Sequence, residues 1–433
     1  LDADQDIAGT QERWEHNKAN DYLTRWWNDN PDQTNLAVNF GSDWGLGQSF
    51  RCSLPNTCEA PLCRTMDPQN DDTLKGWMVL KSLQNLNQFF NKIREGLRLS
   101  NTQYATLQVA IEQDFDPGST ARDISGSEGL SAMSAIVGIL TSWMGPAGIA
   151  GASLGAANTL KELFSGAARS ITATLQASDI SLKNIAEEAE FVHSFFGINL
   201  RQLEDMNTNL MGKGHYQSVR DISLKDLLED GYYVDYTKIP SLNTDLALPI
   251  AQPQDISDWL FKVTLANLVN YIWKKQGVWI SSIPMAASEC ENNAPGNGDH
   301  RLKLCKDGKG YFLQRLTNYK TALGFDGWTA TLPQLWGEME EKYGITPQDA
   351  IESSVEAYKS GGFGFKADRL LGNILDARGT VNVKAFASFP GIFTLPICDL
   401  GQVFANRDFG LEDYMEYIDE PGFNYNEDVG TGA

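Results

Sequence analysis

Residues 129–160 read GLSAMSAIVGILTSWMGPAGIAGASLGAANTL, and no charged side chain interrupts them. The chain around them is strongly acidic: its 433 residues carry 35 Lys and Arg against 56 Asp and Glu, a formal net charge of −21. Gly145-Pro146-Ala147-Gly148 is a turn signal in the middle of the run. It leaves two apolar segments, 130–144 and 149–164, which the pattern pairs as a helical hairpin. About 15 helical residues span roughly 22 Å, short of the ~30 Å of a hydrocarbon core. Neither arm is therefore a comfortable transmembrane helix, although a hairpin can insert partway or span a thinned bilayer. Ser134, Gly138 and Ser142 form one row of small residues, and Gly151 and Gly155 form a GxxxG flanked by Ala152 and Ala156. Met133, Val137, Leu140 and Trp143 supply the larger apolar surface. Two readings compete: a core hairpin buried on all sides, and an apolar hairpin kept sequestered until it meets a membrane.

Composition narrows the partners. A sequence pI near 4.6 argues against nucleic acid, which is bound through basic stripes that displace counterions. It also opposes docking on anionic lipid near neutral pH. The chain opens on Leu1 without a charged-then-apolar leader, which leads to the expectation of a mature product whose targeting segment has been removed. The six cysteines fall in three places: Cys52, Cys58 and Cys63; Cys290 and Cys305; and Cys398. With no CxxC and no Cys/His spacing suited to zinc, disulfides in an oxidising, extracellular compartment account for them best. Cys290 is expected to pair with Cys305 across a Gly/Pro-rich loop, and Cys398 to join the N-terminal cluster and tie the chain's two ends together. The chain holds no Asn-x-Ser/Thr acceptor.

Along the chain the pattern is mainly α. Residues 1–72 form an N-terminal disulfide-bearing cap with a helical start at QERWEHNKANDYLTRWWND. Residues 73–280 form a helical domain containing the hairpin 130–164. There Val79, Leu83, Leu86, Phe90, Ile93 and Leu97 keep 4-3-4-3-4 spacing, and a second helix follows over 100–113. Leu175, Leu182, Ile185, Ala189, Val192 and Phe196 repeat the helical spacing, with Gly197 placed to end that helix. Phe261, Leu265, Leu268 and Ile272 mark another helix over 255–276, with Gly277 after it. Residues 281–406 read as a mixed α/β part. Thr346-Pro347 opens a helix there that Gly361-Gly362 closes, and strands are expected over 310–316 and 391–398. Residues 407–433 are an acidic tail with eight acidic residues and one basic one, expected to be loosely held. The expected architecture is a multi-helix globular fold around a central apolar helical hairpin, with a minor β and disulfide-rich part.

Three further stretches, SFRCSLPNTCEAPLC, SECENNAPGNGDHRLKLCKDGKGYFLQRL and GIFTLPICDLGQVF, carry a resemblance. In their order, around a neutral Gly/Ala-rich segment, the chain resembles a family of secreted, cysteine-containing fungal proteins of uncharacterised function. The resemblance implies secretion and a disulfide-tied helical fold, and it implies no catalytic residues.

Catalytic chemistries fare less well. Gly151-Ala152-Ser153-Leu154-Gly155 matches the G-x-S-x-G of a nucleophile elbow, with His193, His215 or His300 as possible bases. The preceding GPAGIA, however, lacks the β-branched run of a central strand. His16, His193, His215 and His300 have no partner at helical metal-ligand spacing. Asp114, Asp116 and Asp123 can be imagined on calcium, but the spacing departs from the EF-hand loop. Tryptophans such as Trp26, Trp27, Trp77, Trp259, Trp273 and Trp279 can stack on sugars, but at helical positions they read as core. No metal and no cofactor is expected. The leading expectation is a secreted, membrane-active protein of toxin or effector type, pore formation included, with a lipid membrane as partner. The alternatives are a secreted lipase- or esterase-like serine hydrolase using Ser153, and a non-enzymatic extracellular binding protein. No protein or glycan receptor is indicated.

Overall fold

The computed structural model describes residues 10–31, 34–67, 69–115, 185–217, 221–234, 241–242, 248–249, 253–292, 302–320, 326–331, 333, 336–361 and 387–400. The run at 129–160 and its expected hairpin lie outside the described residues. What is described is mainly α, with one five-stranded sheet.

The helical start at residue 11 is two helices rather than one. Helices α1 (Gln11–His16) and α2 (Ala19–Asp29) are separated at Lys18, whose φ of 54° is left-handed. Helix α3 (Leu36–Asp43) follows. Trp14, Leu23, Trp26, Phe40 and Phe50 are all buried, and the Trp26 and Phe40 rings meet edge-on at 4.9 Å.

Helix α4 (Thr73–Phe115) runs unbroken for 43 residues, about 65 Å at 1.5 Å per residue. The two helices expected over 73–113 are thus one. Its predicted apolar stripe, from Val79 to Leu97, is buried throughout, and Tyr104 and Ile111 extend it. Helix α5 (Ile185–Lys213) passes straight through Gly197, where no end occurs. A Cβ added at Gly197 would meet nothing within 4 Å, so neither a turn nor close packing calls for glycine there. The helix gives way instead at Gly214, whose φ of +76° is left-handed and whose added Cβ would lie 2.7 Å from Leu36 and 2.9 Å from Trp27. That backbone and that crowding both require glycine.

Helix α5 lies antiparallel to α4. Arg94 pairs with Glu204 at 3.0 Å, and one turn or two further along α4 Asn101 meets His193, earlier on α5, at 2.9 Å. As the residue number rises on one helix it falls on the other. The C-terminal end of α4 and the N-terminal end of α5 therefore share one end of the pair.

Strands β1 (His215–Gln217) and β2 (Asp221–Ser223) pair antiparallel and lead into the short α6 (Leu224–Leu228). Strands β3 (Ser241–Leu242) and β4 (Leu248–Pro249) form a separate two-stranded ladder. Helix α7 (Pro253–Lys275) is the most deeply enclosed helix described: eight consecutive residues, Val263 to Asn270, are buried, as are Leu260, Phe261, Ile272 and Trp273. More than two full turns buried on every side leave no solvent face, as expected of a helix inside a core. It packs against α4 and runs through Gly277 (φ +72°) into strand β5 (Val278–Pro284).

After β5 come α8 (Ala287–Asn292), β6 (Lys303–Lys306), β7 (Lys309–Lys320), β8 (Asp326–Thr331), α9 (Met339–Tyr343), α10 (Pro347–Gly361) and β9 (Ile397–Asp399). The sheet order is β6-β7-β5-β9, with β8 pairing the far half of β7. All these pairs are antiparallel except β5 with β9. The β6–β7 turn is Asp307-Gly308, with φ of 55° and 72°, as a two-residue primed hairpin turn requires. One face of the sheet sends Val278, Ile280, Leu313 and Ile397 into the main core. The other carries Trp279, Ile283 and Phe312, which gather with Met285, Cys290 and Leu400 into a second cluster. Buried on both faces, β5 shows no alternation.

Helix α10 opens as predicted. Thr346 Oγ1 accepts from the Asp349 amide at 3.0 Å, and the Asp349 carboxylate accepts from the Thr346 amide at 2.8 Å, a reciprocal capping box. The expected strand over 391–398 is shorter than predicted, because only Ile397–Asp399 joins the sheet. The chain before it is held by helix side chains: Ser353 Oγ accepts from Phe393 N at 2.8 Å, Ser354 Oγ from Leu395 N at 3.1 Å, and Asn270 Oδ1 from Thr394 N at 2.9 Å. The main core cluster draws on residues from Trp14 to Ile397, so it includes side chains from the cap, the helical part and the C-terminal part alike.

Candidate functional site

The residues that set the functional expectation, Met133, Val137, Leu140, Trp143, Gly145, Pro146, Gly151 and Gly155, lie outside the described residues, as does Ser153. What the structure describes is how the chain enters and leaves that region. It departs from the end of α4 and returns at the start of α5, and these two ends are neighbours in an antiparallel pair. Among the described residues no helix is long and apolar enough to cross a membrane.

The departure point is fastened. Ile111 is 1% exposed and seats α4 in the core. One turn on, the Asp114 carboxylate accepts from the Tyr343 hydroxyl at 2.7 Å and from Lys342 Nζ at 3.0 and 3.2 Å. Lys342 also pairs with Glu338 at 2.9 Å. Glu338 and then Asp114 hold the Lys342 ammonium above its ordinary value. Burial, and next the bond to Asp114, pushes the Tyr343 phenol well up. The calcium role considered for Asp114 finds no support in this contact, in which its partners are an ammonium and a phenol; Asp116 and Asp123 lie outside the described residues. Among the described residues no group of three His, Cys, Asp or Glu side chains is placed to hold a metal ion.

Of the candidate bases, His193 and His215 are described, and they stand on different elements. His193 is exposed on α5, with Nδ1 2.9 Å from Asn101 Oδ1, while His16 is exposed on α1 and His215 on β1. His300 lies outside the described residues. Trp26, Trp77, Trp273 and Trp279 are buried core and offer no stacking platform; Trp27 is partly buried, packed against that core. The Trp259 side chain is outside the described residues.

The cysteines form two disulfides, Cys52–Cys58 and the expected Cys290–Cys305. The expected link from Cys398 to the N-terminal cluster does not form: Cys63 and Cys398 are free thiols. The reason is topological. Cys398 sits on β9 in register with Ser281 of β5, packed on the second apolar cluster, whereas Cys63 packs on the main core. Burial, with Asp399 adding to it, pushes the Cys398 thiol up to about 12, and burial also raises Cys63. Thiols held protonated at neutral pH are poor nucleophiles, so neither suits covalent catalysis.

The Asp114–Tyr343–Lys342 contact was not readable from the sequence, because its partners stand 228 and 229 positions apart and no local spacing links them. Comparison with known protein families, with curated proteins and with solved structures finds no match to this chain.

Proposed function

We propose that this is a secreted, membrane-active protein of toxin or effector type, whose uncharged run at 129–160 is the part that meets lipid. The observation that carries the reading is the run itself: 32 residues without a charged side chain in a chain of net charge −21. An ordinary surface loop in so acidic a chain would carry charge. Its small-residue rows suit close packing of two helices in a low-dielectric medium. The flanking helices add support, since the one that precedes the run and the one that follows it meet at one end of an antiparallel pair. The two disulfides fit an oxidising, extracellular setting. The likeness to secreted fungal proteins is part of the same proposal.

The test is dye release from anionic liposomes between about pH 7 and 4.5, the range over which carboxylate charge begins to fall. Release is expected to rise as the pH drops, and Gly151→Asp, which places a charge in the run, is expected to abolish it. A leak-free result at every pH, with the protein still folded, overturns the reading and leaves 129–160 as ordinary core.

A further inference from the structure

Four side chains of α4 are given over to the main chain of one other segment. Trp77 Nε1 donates to the Pro61 carbonyl at 2.9 Å, and Gln84 Oε1 accepts from the Ala60 amide at 3.2 Å. Asn87 Nδ2 donates to the Cys52 carbonyl at 2.9 Å, and Asn91 Nδ2 to the Asn56 carbonyl at 3.1 Å. At 3.6 residues per turn these four positions fall within an arc of about 80°, one stripe along the helix. From α5, Asn207 Oδ1 accepts from the Leu54 amide at 3.3 Å. Trp77, Gln84, Asn87 and Asn207 are buried, where a hydrogen bond is stronger than in water. Each of these bonds ends on a backbone atom, so the stripe fixes where the chain runs whatever side chains it carries.

Three cysteines lie along that segment, and two of them are joined. Cys52 and Cys58 are bonded with their Cα atoms 4.6 Å apart, while Cys63 is a free thiol. Spacing in the sequence does not explain the choice. Cys52 and Cys58 are six positions apart and Cys58 and Cys63 five, and loop closure differs little between such lengths.

We propose that this stripe of α4, with Asn207 of α5, is a template that selects the Cys52–Cys58 bond and keeps Cys63 out of it. Cys52 is held at the level of Asn87, and Pro61 at the level of Trp77, about 15 Å apart along the helix at 1.5 Å per residue. Cys63 follows Pro61 by two residues, which recover about 7 Å even if they run straight back. The remaining gap exceeds the roughly 4–7 Å between the Cα atoms of a disulfide. Asn87, Asn207 and Asn91 hold the chain at Cys52, Leu54 and Asn56, and so turn Cys58 back onto Cys52. The bond itself forms by exchange with a small disulfide such as oxidised glutathione. Two thiols of the chain become one disulfide, one glutathione disulfide becomes two glutathione thiols, and the two protons pass to the glutathione sulfurs. The inference does not depend on the membrane reading.

The experiment refolds the reduced full chain in a glutathione redox buffer, blocks the remaining thiols with N-ethylmaleimide and digests with trypsin and a glutamate-specific protease. Cuts after Arg51, Glu59 and Arg64 separate residues 52–59 from residues 60–64. A Cys52–Cys58 bond lies wholly inside the first peptide and leaves Cys63 in the second with the maleimide. A bond from Cys63 to either cysteine keeps the two peptides linked. In the wild type the linked form is expected to be minor after refolding, and to become a major product when oxidation is carried out in concentrated guanidinium chloride. Trp77→Phe with Gln84→Met removes the bonds to Pro61 and Ala60 while keeping most of the apolar bulk. This double variant is expected to raise the linked share about tenfold, the effect of losing two ordinary hydrogen bonds. Gln84→Glu keeps an acceptor for the Ala60 amide and is expected to pair as the wild type does. Cys290–Cys305 in the same digest reports that the rest of the chain has folded. If the double variant does not form it, Gln84→Met alone is read in its place, with a rise of about threefold expected. Ser353→Ala, which removes a buried hydrogen bond far along the chain, is expected to leave the linked share unchanged. An unchanged linked share in the folded variants, an equal rise in Ser353→Ala, or a linked share already minor in guanidinium chloride overturns the template.

Discussion

Ser353 shows how much of this fold is held by single polar groups inside it. Its hydroxyl oxygen takes the Phe393 amide at 2.8 Å, and its own proton faces the carbonyls of Phe389 and Phe393, the latter at 3.3 Å. Ser353 is fully buried. Phe389 to Phe393 here lie outside the sheet, apart from an isolated bridge between Pro390 and Phe393, and buried backbone groups must find partners elsewhere. Replacing the serine leaves the Phe393 amide without this acceptor in a site closed to water. Ser353→Ala is therefore expected to cost about 1–3 kcal/mol. Urea denaturation with an unchanged m-value measures it, and a loss below about 0.5 kcal/mol would show that the amide finds another partner.

Among the elements, α8 and β6 depend on a covalent tie as well as on packing. Cys290–Cys305 closes a loop of sequence separation 15, a constraint on the unfolded chain worth about 3 kcal/mol. Lys303 holds the same junction without sulfur: its Nζ donates to the carbonyls of Cys290, at 2.7 Å, and Glu291. A Cys290→Ser, Cys305→Ser double variant is thus expected to lose about 3 kcal/mol while keeping its native near-UV circular dichroism. Loss of that spectrum under native conditions would show that Lys303 cannot hold the junction alone. The pairing was readable because the two cysteines flank one loop. The free state of Cys398 was not, since the sequence does not say that β9 lies beside β5. Helices α4, α7 and α10 were likewise legible, because apolar spacing, a terminal Gly277 and a Thr-Pro cap are local signals. The second helix expected from residue 100 is a continuation of the first, and Ser100 is buried within it. Strand β5 was missed because both its faces are covered, Ser281 and Ser282 included, which removes the alternation that marks a strand. The strand expected over 310–316 lies within β7, and the Asp307-Gly308 turn could have located its partner β6 as well. Of the candidate site, the uncharged run was plain in the sequence, whereas its fastening at Asp114 is a product of tertiary structure.

The balance of charge across the protein predicts how its stability changes with pH. Several carboxyls are held below their ordinary range in the folded state: Asp72 by its bond from Lys75, Glu95 by its bond from Arg98, and Asp307 by its bond from Lys359. Burial pushes Glu356 up, but the bonds from Lys306 and Lys359 outweigh it and hold the group low. A carboxyl lower in the folded than in the unfolded chain contributes stability above its unfolded value, and that contribution is lost as the pH falls through the folded one. Asp226 works the other way. Burial, and then Glu229, raises it, so its ionisation opposes folding as the pH rises. The net charge of −21 also repels itself at neutral pH, and mild acid relieves this. Relief comes first, from the many carboxyls without close cations, and loss of the paired groups follows at lower pH. The melting temperature is therefore expected to peak near about pH 5 and to fall on the order of 5–10 °C by about pH 3.5. Lys359→Met removes the ammonium that serves both Asp307 and Glu356, and it is expected to flatten the acid side of the profile while lowering its peak. Differential scanning calorimetry from about pH 7 to 3.5 measures both curves. A melting temperature that climbs steadily to the acid end would mean that self-repulsion, not pairing, governs this protein throughout the range.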